Sequence, residues 1–334
     1  MQLHLQTYGA SIRIKKGLFE IRHFDQDQQL RKEHLAVHLV DSIWIQPGVS
    51  LTSNVLKVAL ENDIDVVLQD KHGMPIGRIW ATRPSNTTAV QKKQLEASIN
   101  YKGLAFIKRW LGLKLANQIG FLDSLRKKKP EQLDRNLQTA MKKLNQLNQS
   151  LQGLEADTVA QVSDRIRGLE GAAGRIYFQA ISSVLPPSYQ FNGRSRQPAA
   201  DAFNAFLNYA YGILYARVES ALGRAGVNPY VGFLHRDGHQ HKSMVFDFIE
   251  PFRIYAERAT FQVFSGKKLR KGSLEKVKGG YYLSKEGKQL LIAYFNRLFD
   301  EKKQAHGEKR KTPANILREE AARFAVVLKS DEEE

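Results

Sequence analysis

The first eighty positions read mostly as strands, with stretches in which apolar residues fall on every second place. In SIRIKKGLFEIRHF, Ile12 and Ile14 alternate with polar neighbours, Lys16-Gly17 turns the chain, and Phe19 and Ile21 resume the period of two, which predicts a hairpin. HLAVHLVDSIWIQPG carries the same rhythm through Leu35, Val37 and Leu39, then Ile43 and Ile45, until Pro47-Gly48 ends it. LTSNVLKVALEN predicts a short helix capped by Ser53, with Val55, Leu56, Ala59 and Leu60 as its apolar stripe. DIDVVLQD, KHG and PIGRIWA predict a strand, a turn and a strand.

After RPSNTT, at 83–88, the period changes to three and four. Leu133, Leu137, Met141, Leu144, Leu147, Leu151 and Leu154 mark an amphipathic helix. The same series could form a coiled-coil seam, but packing inside a helical domain is the simpler expectation. Phe203, Phe206, Leu207, Ala210, Ile213 and Leu214 mark a second helix, and Leu317, Ala321, Phe324 and Leu328 a last one. Strands first and helices afterwards predict the α+β class. The expected domains are a β domain at 1–84, a linker at 85–92 and an all-α domain at 93–334, with a flexible segment near 300–312 and an acidic tail, DEEE.

Charge adds a partner to this picture. The 51 Lys and Arg against 34 Asp and Glu leave a formal net charge of +17, which points to a polyanion, because neutralising phosphates releases condensed counterions. Basic clusters stand at RKKK (126–129), KKLRK (267–271) and EKKQAHGEKRK (301–311). The absence of cysteine excludes disulfides, thiolate metal sites and cysteine nucleophiles. The apolar run from Ala202 to Ala216 is shorter than the ~20 residues of a membrane span, and MQLHLQTYGA does not read as a secretion signal, so the expected location is the cytoplasm, away from membranes.

Neither a G-x-x-x-x-G-K-[ST] phosphate loop, a strand-linked G-x-G-x-x-G nor a G-x-S-x-G elbow occurs. Metal chemistry by nitrogen and oxygen ligands remains. In GFLHRDGHQHKSMVFDFIEPFR, Asp247 and Glu250 are spaced to share a helix face, about 5–6 Å apart at Cβ. Two such carboxylates repel unless a cation or a proton lies between them. His235, twelve residues before Asp247, can bring an imidazole to the same ion, a donor set that suits Mg²⁺ or Mn²⁺. The alternative is structural: the acids cap a helix or pair with Arg253 or Arg258. Pro251 must stand in a first turn or kink the helix just after the acids. His239 and His241 are further candidates in a hydrophilic stretch where surface histidines are usual. In RIRGLEGAAGRIYFQAI, Glu170 is followed by small residues that admit a close neighbour, with Tyr177 two turns on.

The order EGAAGRIYF, NAFLNYAYGILYARVESALGRAGVNPYVGFLH, KSMVFDFIEPFR resembles the CRISPR-associated adaptation integrases of the Cas1 family. YGASIRIKKG and VSLTSNVLKVALENDIDVVLQDKHGMPIGRI resemble that family's N-terminal β domain, and LKLANQIGFL and LSKEGKQLLIAYFNRL its helical domain. The resemblance implies that Glu170, His235 and Glu250 bind the metal, with Asp247 close by and important to activity. It also implies joining of 3′-hydroxyl ends of captured double-stranded DNA into repeat DNA, a homodimer held through the β domain, and a Cas2 partner. A non-enzymatic basic DNA scaffold, and a metal-dependent nuclease acting on RNA or branched DNA, are the alternatives.

Overall fold

The alternation in the first eighty residues becomes two four-stranded sheets. A computed structural model describes residues 2–25, 27–62, 64–71, 73, 75–79, 87–126, 130–196, 198–235 and 242–330, in two units, Met1–Ser85 and Asn86–Glu334. In the first unit, strands β1 (Gln2–Leu5), β2 (Ser11–Lys15), β3 (Leu18–Phe24), β4 (Leu30–Ala36), β5 (Ser42–Ile45) and β6 (Ser50–Leu51) precede helix α1 (Ser53–Glu61) and strands β7 (Asp65–Gln69) and β8 (Pro75–Ile79). One sheet has the order β4-β3-β2-β6, the other β1-β5-β7-β8 with β1, β5 and β7 parallel. Lys16 and Gly17, with φ of 51° and 75°, supply the two left-handed residues that a tight β2–β3 turn requires. Ile12, Phe19 and Ile21 share one core with Ile43, Ile45 and Val66, closed by Val55 and Ala59 of α1.

Two local expectations change here. Val37 and Leu39 do not extend a strand: Val37–Leu39 is a 3₁₀ turn, because the chain leaves one sheet after Ala36 and enters the other at Ser42. Ser53 is the first helical residue of α1, and Thr52 occupies the cap position without a side-chain cap bond.

The second unit contains α2 (Thr87–Ala97), α3 (Tyr101–Arg126), α4 (Glu131–Gln152), α5 (Val159–Ser183), α6 (Ala202–Arg224), α7 (Ser243–Phe248), a 3₁₀ turn (Glu250–Phe252) and α8 (Arg253–Ser265). The hairpin β9 (Leu274–Val277)–β10 (Gly280–Leu283), helix α9 (Lys285–Asn296), the hairpin β11 (Gln304–His306)–β12 (Lys309–Lys311) and α10 (Pro313–Lys329) complete it. Residues 87–92, expected inside a linker, belong to α2, where Val90, Gln94 and Ala97 make a buried face. The segment expected to be flexible near 300–312 instead pairs as β11–β12 about Gly307, whose φ of 58° admits the turn. The domain expected to be all-α therefore carries two small hairpins. The leucine series from Leu133 to Leu151 lies on α4, which packs between α3 and α5 with Leu137, Leu144 and Leu151 buried, and so serves a core; Leu154 is buried just beyond the helix end.

Phe106 and Trp110 of α3, Phe233, Phe248 of α7 and Phe324 of α10 form one aromatic cluster. Trp110 lies nearly parallel to Phe233 at 6.0 Å, and Phe324 meets Trp110 edge-on at 5.2 Å. This rigid floor places Phe233, and with it the turn that carries His235. No helix among the described residues is long and apolar enough to cross a membrane.

Candidate active site

The turn Gly232–His235 exists because one buried carboxylate gathers it. Asp247, 1% exposed, accepts from the backbone N–H of Phe233 at 2.6 Å, of Leu234 at 3.1 Å and of His235 at 3.3 Å. Its Oδ1 also lies 2.6 Å from Nδ1 of His235. Only glycine fits at 232: a Cβ there would stand 2.6 Å from Cβ of Ser243 and 3.0 Å from Oδ2 of Asp247. Upstream, the buried Gln94 side chain donates to the carbonyls of Asn228 and Val231 and accepts from the N–H of Asn228, tying the approach to α2. Burial opposes a charge on His235, but the Asp247 carboxylate outweighs it and raises the imidazole pKa.

Beside this pair, two acids far apart in sequence converge on one ammonium. Nζ of Lys114, on α3, lies 2.8 Å from Oε1 of Glu170 on α5 and 2.6 Å from Oε2 of Glu250 in the 3₁₀ turn. Lys114 holds Glu170 down at about 2. Burial works against the Lys114 ammonium, yet Glu170 and Glu250 together push its pKa above the ordinary lysine value. Arg253, the first residue of α8, donates from Nε to Oε1 of Glu250 at 2.7 Å and faces the rings of Tyr211 and Tyr215 at 4.9 and 5.8 Å. Pro251 stands within the 3₁₀ turn that joins α7 to α8, and its carbonyl accepts from Asn117 of α3 at 2.9 Å.

The fold thus brings Glu170 and Glu250 onto one cation and joins His235 to Asp247. Both glutamates also act electrostatically on His235. Asp247 is spent on the backbone and imidazole, so its part is to orient. Arg253 takes up Glu250 as the structural alternative expected, whereas the Arg258 guanidinium lies over the Phe121 ring at 5.0 Å. Tyr177 is fully buried against Phe178 and belongs to the core. His239 and His241 lie outside the described residues. The small residues after Glu170 leave open space: a Cβ on Gly174 would meet no atom within 4 Å.

Lys114 was not singled out by the sequence, although a lone lysine among Trp110, Leu111, Leu115 and Gln118 on a buried helix face was a usable signal. Its position bears on metal binding. Among the described residues no three His, Asp or Glu side chains are grouped as a ready ligand cage. The ammonium stands where an ion between the acids would stand. Oε2 of Glu250, on a side chain 1% exposed, faces that ammonium at 2.6 Å, and a carboxylate oxygen so placed offers its lone pairs to a cation. Two carboxylates with an imidazole nearby therefore fit a divalent ion, taken in place of the ammonium.

Exposed cations are plentiful elsewhere on this unit. Lys267, Lys268, Arg270 and Lys271 follow α8, and Lys309 and Arg310 lie on β12. In the RKKK cluster, Arg126 is taken up by Asp134 at 2.6 Å and Asp123 at 3.1 Å, and 127–129 lie outside the described residues.

Comparison with known proteins gives this geometry its relatives. The profile of the family "CRISPR associated protein Cas1" matches residues 3–297. A CRISPR-associated endonuclease Cas1 of Archaeoglobus fulgidus is 31% identical over 92% of this chain and 90% of its own length. One from Thermus thermophilus is 28% identical over 88% of this chain and 85% of its own. Among solved structures, a casposase bound to integration product has a TM-score of 0.82 at 21% identity, covering 100% of this chain and 92% of that one. A Cas1 protein from Thermotoga maritima has a TM-score of 0.74 at 19% identity, over 100% of both chains.

Proposed function

The chain belongs to the Cas1 family of CRISPR-associated endonucleases and integrases, and we propose that Glu170, His235 and Glu250 hold Mg²⁺ or Mn²⁺ for its phosphoryl transfer on DNA. The reaction joins the 3′-hydroxyl of captured double-stranded DNA to repeat DNA. The attacking 3′-oxygen bonds to phosphorus, the bond from phosphorus to the repeat strand's own 3′-oxygen breaks, and the hydroxyl proton replaces that bond on the departing oxygen. With water in place of the hydroxyl the same displacement nicks the strand.

The convergence of Glu170 and Glu250 on one cation carries this reading. When bound, a divalent ion supplies Lewis-acid stabilisation of charge on the phosphate oxygens. Asp247 takes the Nδ1 side of His235, which leaves Nε2 as the ligating nitrogen and fixes the ring's orientation. Arg253 clamps the other oxygen of Glu250, so that Oε2 keeps its aim. The +17 net charge gathers the phosphodiester backbone around these few acids.

A homodimer and a Cas2 partner belong to the same proposal. One chain in each of two solved assemblies, a Cas6-RT-Cas1–Cas2 complex and a partial one, contains this fold, with TM-scores of 0.73 and 0.65, the first over 35% of that chain's length. One observation favours the rival reading as a basic DNA scaffold: Lys114 pairs with both glutamates and Arg253 with Glu250, as structural ion pairs would. Glu170→Ala and His235→Ala separate the two. Both variants are expected to bind DNA as the parent does and to lose Mg²⁺- or Mn²⁺-dependent strand transfer, assayed with and without Cas2. Full strand transfer by both variants sinks the site assignment.

A further inference from the structure

The four charges at the acid pair sum to zero: Glu170 and Glu250 against Lys114 and Arg253. A divalent ion added to that set without a departure would place like charges within a few ångströms of each other inside a poorly solvated site, where Coulomb repulsion is large. One resident cation has to leave. Arg253 is held from several sides: Nε on Glu250, a guanidinium nitrogen 3.3 Å from the Tyr215 hydroxyl, and the faces of two tyrosine rings. Lys114 carries its ammonium on a flexible four-carbon stem, and that ammonium meets the two acids the ion would use. Its way out is through Glu170, whose side chain is 24% exposed against 1% for Glu250 and which borders the open face at Gly174.

We propose that Lys114 is the exchangeable counterion of this site: it holds the acid pair together before metal arrives, leaves when a divalent ion enters, and then presents its ammonium to the DNA phosphate. The inference rests on the metal reading of Glu170 and Glu250 given above. It makes metal affinity a contest between an ion and a side chain of the chain itself. It also couples the two ligands, since the ion that enters frees a cation for the nucleic acid.

The test is Mn²⁺ titration of the DNA-free protein by calorimetry, in the parent, Lys114→Gln, Lys114→Arg and Glu250→Gln. Lys114→Gln removes the competing charge and keeps an amide that can donate to the acids. It is expected to bind Mn²⁺ about tenfold tighter or more. Lys114→Arg, which keeps the charge in a broader fork, should bind no tighter than the parent. A second measurement uses the unmutated protein and so does not depend on any variant folding. Acetylation of Lys114, followed by mass spectrometry, should be slow without metal and rise severalfold with Mn²⁺ as the ammonium moves out of its ion pairs. Mn²⁺ binding that is lost in Glu250→Gln but equal or weaker in Lys114→Gln, or labelling that Mn²⁺ leaves unchanged, overturns the exchange and leaves the metal site standing. Failure of the parent and of Lys114→Gln alike to bind Mn²⁺ overturns the metal reading, and the exchange with it.

Discussion

Oδ1 of Asp247 lies 2.6 Å from Nδ1 of His235, and the same carboxylate accepts three consecutive backbone N–H groups, of Phe233, Leu234 and His235. One buried acid thereby fixes both the path of the turn and the face of the imidazole. Asp247→Asn puts an amide N–H against this ring of donors. Loss of charge-assisted hydrogen bonds of this kind costs about 2–3 kcal/mol, and loss of a partner that orients a ligating histidine weakens metal binding about 10- to 100-fold. Thermal unfolding and Mn²⁺ titration of Asp247→Asn check both. Unchanged Mn²⁺ affinity would show that the Asp247–His235 bond serves the fold alone.

Gly232 offers a sharper probe of the same turn, because it changes no charge. A methyl at 232 would have to displace Ser243 and the Asp247 carboxylate itself. Gly232→Ala is expected to cost about 1–3 kcal/mol from overpacking and to weaken strand transfer together with it. Gly120, inside α3 about two turns before its end, has no atom within 4 Å of its would-be Cβ, so Gly120→Ala should instead add about 1 kcal/mol through helix propensity. Opposite shifts in Tm for two Gly→Ala changes are the expected reading.

The sequence exposed some of these relationships and hid others for physical reasons. Local alternation marked β2 and β3 because a hairpin pairs neighbours, but the parallel alignment of β1 with β5 and of β5 with β7 joins distant segments whose choice of partner no local period records. At β11–β12 the charge run read as a solvated linker, although Gly307 between two short strands was a turn signal. Glu170, His235 and Glu250 stood out through motifs in order, not through periodicity, since the site proposed for them draws on α5, a turn and a 3₁₀ segment, which share no period. Lys114 and Gln94 act across 56 and 134 residues of chain separation, and only the packing of helices discloses them.

The exposed cations after α8 bear on affinity rather than chemistry. Lys267, Lys268 and Lys271 have their side chains in solvent, outside the acid site. Each phosphate contact they make adds about 0.9 to the slope of log K against log salt on duplex DNA. Changing all three to Gln should weaken DNA binding across sequences and flatten that slope, with single-turnover strand transfer at saturating DNA little altered. Binding assayed at several salt concentrations checks it, and an unchanged slope would remove this cluster from the DNA surface.

Glu20 gives the first unit a dependence on pH whose direction the structure fixes. The residue is fully buried on β3, opposite Arg13 on β2 and His34 on β4. Burial by itself would raise its pKa, but hydrogen bonds from Arg13 and Arg22, each at 2.7 Å, and the Lys15 ammonium hold it far below the ordinary value of 4.5. A carboxyl depressed on folding contributes stability that is complete above its unfolded pKa and drains away as pH falls toward the folded one. The unfolding midpoint of this unit should therefore hold steady from neutral pH down to about 5 and fall below that, in step with the carboxyl's proton uptake. Glu20→Gln removes the titrating group while keeping its size. It should be less stable than the parent at pH 7, with the gap closing as pH drops below about 4.5. Urea melts of both proteins at several pH values, followed by tryptophan fluorescence, to which Trp44 of β5 contributes, measure it. A gap that stays constant across that range would mean that Glu20 serves as a hydrogen-bond acceptor whose charge is immaterial.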